Sequence, residues 1–319
     1  MISIYCSVWA TSICIALTNL LSAQEDKANA DKLAPIARQL AGLHNMLSVQ
    51  RSLSLVALES GHVEPGFGHD GSPRFTGIFK LFYKGDRFLY NVEFIDSKAP
   101  TYNQVESFDG EHYAHLNRNG GIFSISSQSF VNDVVMSQGH VMFMPFLFLQ
   151  SRFSKDAFPQ LSYRQLTNED DWRNVLTSIP STSGVEEVTV ENQKYLKVTK
   201  IGKNVDPVSD QPCVFDVFFA KRFNWYPMKW ERRLTTGKIV TSYSVEELGF
   251  IESATGEDIP YPKVSVLNHY QDSKLRDTER IEVKQIRFDS VSDGDLSIDP
   301  ASASLIRDID RGINIKVPK

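Results

Sequence analysis

Seven histidines, at positions 44, 62, 69, 112, 115, 140 and 269, are the side chains of this sequence best suited to hold a metal or move a proton near neutral pH. His112 and His115 are the closest pair, but residues three apart on a strand face opposite sides, so one strand cannot bring both to one ion. His62 and His69, with Glu64 and Asp70, flank a loop that could fold into a metal site, although loop histidines of this kind are ordinarily solvated. Cys213 has no histidine partner positioned by sequence, and a buried strand thiol is its default role. Gly-x-Ser-x-Gly and His-Glu-x-x-His are missing from the sequence. The expectation is no catalytic residue, no metal and no cofactor.

Two facing carboxylates can hydrolyse a sugar, so the acidic residues need the same test. Asp86, Glu93, Asp109, Asp216, Glu231, Glu246 and Glu247 sit in or beside expected strands, and alternation with apolar neighbours puts most of them on an outer face. Glu231 shares its side with Lys229 and Arg233, which reads as a solvated charge ladder.

These residues must be positioned by strands. The stretch FAKRFNWYPMKWERR over 219–233 has Lys221 and Arg222 at a turn. Phe215, Val217 and Phe219 share one face of the first arm; Met228 and Trp230 share one face of the second. It is a hairpin with a greasy inside and a charged outside, not a nucleic-acid platform. A net charge of −5 agrees, because the field of the whole protein repels phosphate backbones.

Period-two alternation predicts many more strands. Residues 75–83 and 88–94 form a hairpin around Lys84-Gly85-Asp86, and 105–108 and 112–116 form another around Asp109-Gly110. Further strands are expected over 122–125, 185–190, 195–201, 214–220, 227–234, 239–250, 264–270 and 280–288. Closely spaced turns without alternating long helices point to a large antiparallel sheet, mainly β with a minor helical part.

Helical signals are few. Leu33, Ile36, Leu40, Leu43 and Leu47 make an apolar stripe at spacings of three and four. Residues 168–179 open with Glu169, Asp170 and Asp171 in a first turn and carry Trp172, Val175 and Leu176. The run GHVMFMPFLFLQ over 139–150 is too short to cross a bilayer and is expected to complete the core or cover a cavity. Residues 1–23 carry no charge and give way to Gln24-Glu25-Asp26-Lys27, the layout of a signal peptide; an uncleaved membrane anchor is the alternative.

Three stretches carry a resemblance to the LolA/LolB-like lipoprotein-carrier superfamily. SFDGEHYAHLN resembles its Asp-Gly hairpin, matching Asp109, Gly110 and Tyr113. FFAKRFNWYPMKWER resembles its strand, turn, Pro, strand unit, matching Tyr226, Pro227 and Trp230 or Glu231. IEVKQIRFDSVSDGDLSID resembles its closing strand and acidic turn. The resemblance implies an unclosed β-barrel wrapped around an N-terminal helix and a few short helices, with an apolar cavity for acyl chains. Residues 24–319 would form one such domain, departing from a minimal carrier by a helical insertion at about 139–180 and a C-terminal tail ending DIDRGINIKVPK.

The expectation for function is therefore an exported, periplasmic, non-enzymatic protein that binds lipid or an acyl chain, with lipoproteins or envelope proteins as partners, peripheral membrane contact and no nucleic acid. Its ligand-binding candidates are the large apolar side chains of one strand face: Phe79, Phe88, Tyr90, Phe94, Phe215, Phe219, Met228 and Trp230. A secreted hydrolase on a β-rich scaffold and a structural envelope protein with a solid core are the competing classes.

Overall fold

The computed structural model describes residues 29–43, 46, 52–65, 73–84, 87–96, 103–127, 145, 168–177, 184–205 and 212–317. The leader expected over 1–23 and the apolar run over 139–150, apart from Pro145, lie outside the described residues.

Alternating sequence produces one sheet of 15 strands. The helix α1 (29–43) precedes β1 (Ser52–Val63), β2 (Pro73–Lys84), β3 (Arg87–Asp96), β4 (Gln104–Phe108), β5 (Tyr113–Asn117) and β6 (Ile122–Ser126). A second helix, α2 (Glu169–Thr177), leads to β7 (Val185–Val190), β8 (Gln193–Val205), β9 (Pro212–Ala220), β10 (Tyr226–Leu234), β11 (Ile239–Glu252), β12 (Asp258–Gln271) and β13 (Lys274–Phe288). The sheet ends with β14 (Leu305–Asp308) and β15 (Ile313–Lys316), so residues expected as a tail extend the sheet instead.

Two antiparallel meanders, β1 to β6 and β7 to β13, join side by side where β1 pairs with β13. β14 then adds to β6, the one parallel pairing among the described residues, and carries β15 as a hairpin partner. The order runs from β15 to β7 without closing, so the architecture is an open barrel rather than a sealed one. Tight turns set the registers. Glu191 and Asn192, and again Asp272 and Ser273, adopt positive φ, the geometry of two-residue hairpin loops whose twist matches that of the strands.

The helical stripe is buried as its spacing requires: Leu33, Ile36, Leu40 and Leu43 of α1 are each under 5% exposed. They pack with Trp172 and Leu176 of α2 on one face of β8 to β12. That face continues across β13, β1, β2 and β3 as a second apolar field built from Ile281, Val283, Leu55, Ala57, Phe79 and Leu81. The opposite face over β3 to β6 is covered by the C-terminal segment, where Val291, Leu296 and Ala303 pack on Leu89, Val105, Leu116 and Phe123. No helix among the described residues is long and apolar enough to cross a membrane.

Candidate ligand-binding site

The register places the eight sequence-predicted residues on one sheet face, in two separate groups. Phe215, Phe219, Met228 and Trp230 lie under α1, and each is nearly inaccessible. Phe79, Phe88 and Tyr90 belong to the second field, with Phe94 packed partly buried against it. Ring contacts knit each group: Trp230 stacks on Tyr243 at 5.7 Å between centroids, and Phe79 stacks on Tyr90 at 6.0 Å. Among the described residues these side chains are walls packed against one another.

Two grooves of about 590 and 510 Å³ lie along the C-terminal segment, and a third, the one beside the large apolar cluster, lies at the end of α1. Leu40, Leu43 and Met46 from the helix side face Phe223 and Tyr226 of the β9–β10 connection and Phe250 near the end of β11, around a groove of about 430 Å³. That volume falls within the range of small-molecule sites. Arg222, Glu257 and Asp258 supply its polar rim. Phe250 is 55% exposed, an apolar ring left at the mouth of the groove.

The β9–β10 connection is shaped to form this rim. After a 3-10 turn over Lys221–Phe223, Asn224 and Trp225 both take positive φ, at 51° and 59°. Asparagine tolerates that region, whereas a bulky tryptophan adopts it at a cost. Packing offsets the cost: Trp225 is partly buried against the α1 core and Lys221 Nζ lies 5.9 Å from its ring centroid. The Arg222 guanidinium sits 4.4 Å from the Phe223 ring centroid, leaving cationic and apolar surface side by side at the groove.

The outer face of the opening hairpin is less wet than alternation suggests. Asp216 is 3% exposed and accepts a 2.7 Å hydrogen bond from Thr199 Oγ1, while the Arg233 guanidinium donates to its other oxygen and Lys197 Nζ lies 3.9 Å away. Glu231 pairs with Lys229 at 2.8 Å and its side chain is only 16% exposed. Glu246 and Glu247 pair with Arg280 and Lys263 on exposed positions, and Glu93 is exposed. Glu231 stands directly across from Asp216 in the register, and each carboxylate is matched by a cation.

Of the histidine candidates, His115 lies half-buried 3.4 Å from Gln104 Oε1, and burial holds its imidazole below the ordinary histidine value. His62 stands 3.9 Å from Glu64, while His69 and Asp70 lie outside the described residues. Cys213 is a buried thiol outside any disulfide. On the inner face, Tyr90 is pushed well above the ordinary tyrosine range by burial first, then by Glu59 and Glu106.

No protein-family model matches the chain, and no curated protein matches it in sequence. Solved structures do resemble it. A DUF1329 family protein from Desulfovibrio piger is 13% identical with a TM-score of 0.46, over 86% of this chain and 97% of that one. A LolA superfamily protein from Nitrosomonas europaea is 10% identical with a TM-score of 0.40, over 78% and 91%. An outer membrane lipoprotein-sorting protein domain from Vibrio parahaemolyticus is 10% identical with a TM-score of 0.42, over 84% and 97%. At TM-scores below 0.5, what the chain does must be argued from its own geometry.

Sequence reasoning missed the groove residues Leu40, Leu43, Met46, Phe223, Tyr226 and Phe250 as a group. A signal was present in Phe250, an apolar ring among Gly249, Glu252 and Ser253 near the end of a strand, but its proximity to α1 requires the fold.

Proposed function

We propose that this protein is a non-enzymatic, exported binder of lipid or of an acylated, lipoprotein-like ligand, acting as a carrier or in the cell envelope, with lipoproteins or envelope proteins as its partners. The observation that carries the reading is the groove of about 430 Å³ between α1 and the ends of the sheet, where Leu40, Leu43 and Met46 face Phe223, Tyr226 and the exposed Phe250 among polar neighbours. The apolar surface left open at the groove, the Phe250 ring above all, is what an acyl chain would cover. Arg222 at the rim suits a carboxylate or phosphate head group. Phe215, Phe219, Met228 and Trp230 belong to the same packed cluster as the groove residues Leu40, Leu43 and Tyr226.

Titration of the purified protein with a fluorescent fatty-acyl probe tests this. Saturable binding is expected, and Phe250→Ser should weaken it roughly tenfold, because losing a buried aromatic contact is worth about 1.5–3 kcal/mol. Stability should hold, since the ring is half exposed in the free protein. No saturable binding, or a Phe250→Ser variant that binds as tightly as the parent, would overturn the reading.

A further inference from the structure

We propose that His269, Asp277 and Glu279 form a binding site for a divalent first-row metal ion, Zn²⁺ or Mn²⁺, on the inner face of the sheet, with Glu59 beside them as a further carboxylate ligand. This site is separate from the acyl groove and does not depend on it.

The three side chains come from β12 and β13, brought together by the tight turn at Asp272 and Ser273. His269 stands directly across from Asp277, and Leu267 across from Glu279, so all point to the face that carries Trp230 and Tyr243. One ligand atom from each lies within 4.8 Å of the others. His269 Nε2 and Asp277 Oδ1 are 3.9 Å apart, too far for a hydrogen bond. Two donors each about 2.0–2.2 Å from one ion stand roughly 3–4 Å apart, so the gap suits a shared metal with little movement.

Charge points the same way. Asp277 and Glu279 are 4% and 7% exposed, and two carboxylates so close and so deeply buried call for positive charge beside them. Arg276 provides some, but its Nε reaches Asp277 Oδ2 and leaves Oδ1 turned toward His269. Its side chain is 46% exposed, so water screens what it offers.

Glu59 is an independent observation. It is 1% exposed. It projects from β1 on the same face, one pair along from Glu279: Glu59 opposes Ile281, and Gly61, which has no side chain, opposes Glu279. Such diagonal neighbours lie within reach of each other. A carboxyl buried this deeply is costly, and a cation held with Glu279 would offset that cost.

The donor set identifies the ligand class. One imidazole nitrogen with two or three carboxylate oxygens suits borderline and hard divalent ions and disfavours copper(I), which prefers thiolate and thioether sulfur. Entry is from the His269 side, whose side chain is 31% exposed.

The test uses the full chain, stripped with a chelator and titrated calorimetrically with ZnCl₂ and with MnCl₂. One ion per chain is expected for at least one of the metals, and Glu279→Gln and Asp277→Asn should each weaken binding by roughly tenfold or more. Titration with CoCl₂ should give visible ligand-field bands that change in His269→Gln, a substitution at a partly exposed position that keeps the test open if a carboxylate variant fails to fold. Arg276→Ala should strengthen binding by freeing Asp277 Oδ2. Failure of all three metals to bind, or binding that His269→Gln and Glu279→Gln leave unchanged, would overturn the site.

Discussion

Trp230 lies almost parallel to Tyr243, at an interplanar angle of 16° and with centroids 5.7 Å apart, and the pair forms the floor of the sheet beneath α1. Both rings are almost fully buried, and Phe215 tilts against the indole at 6.0 Å. Replacing Trp230 with Ala is expected to cost about 3–5 kcal/mol of stability, the range for large aromatic truncations in cores. Because Trp230 does not line the groove, the variant should still bind an acyl probe where it remains folded. Denaturant melts with and without probe check both halves; a much earlier melt with unchanged binding is the expected result.

The inner face was largely legible in the sequence because its large side chains recur at period two, as in Phe215, Val217 and Phe219. The stripe of α1 was legible for the same reason at period 3.6. β1 was not. Its sequence SLSLVALESGHV is rich in Leu, Ala, Ser and Glu, which carry little strand preference, yet it sits at the junction of the two meanders because β2 and β13 pair with both its edges. Position in the sheet overrides propensity there. The tail residues 305–316 were missed because β14 joins β6 in parallel, a contact that no local turn announces. His269, Asp277 and Glu279 were missed as a group because a bulge between His269 and Tyr270 shifts the register that counting from the turn would give.

Gly249 opposes Tyr261 across β11 and β12, and a β-carbon at this glycine would collide with the Tyr261 ring. The aromatic ring lies over the bare backbone, covering hydrogen bonds that a glycine leaves exposed. Gly249→Ala should therefore destabilise by about 1–3 kcal/mol through overpacking. A double variant with Tyr261→Ala should recover part of that loss. Thermal melts of the single and double variants decide it: an additive result would mean that the ring is not the obstacle.

Asp216 is the anchor of the outer charge cluster, held by Thr199, Arg233 and Lys197. Substitution with Ala leaves two cations around a buried gap, and removing one partner of such a pair costs about 3–5 kcal/mol. Glu231→Gln, by contrast, perturbs one ion pair with Lys229 near the surface and should change stability by about 1 kcal/mol or less. Urea titration of the two variants should separate them clearly. Comparable midpoints would show that the Asp216 cluster contributes no more than an ordinary surface pair.

Asp293 clasps the C-terminal segment to the β2–β3 hairpin, accepting 2.7 Å hydrogen bonds from Lys84 Nζ and Arg87 on the two sides of that turn. These two hydrogen bonds, with the charges of Arg87 and Lys84, hold its carboxyl below the usual carboxylate range. In the unfolded chain the group titrates near its ordinary 3.8, so the unfolded state takes up a proton first as pH falls. The stabilisation is thus fully present above about pH 4 and is lost as pH drops through the lower folded value. The carboxylate is open to solvent, so the effect is small, weakens with salt, and is best read locally. Hydrogen exchange at Val291 and Leu296, which the clasp holds against Leu89 and Phe123, should be faster in Asp293→Asn than in the parent at pH 6. That difference should disappear when the parent is taken below its folded titration point, for example in melts followed from pH 6 to pH 2. A difference between the two proteins that persisted unchanged at pH 2 would mean that the segment is held by its apolar contacts and that the charge of Asp293 is irrelevant to it.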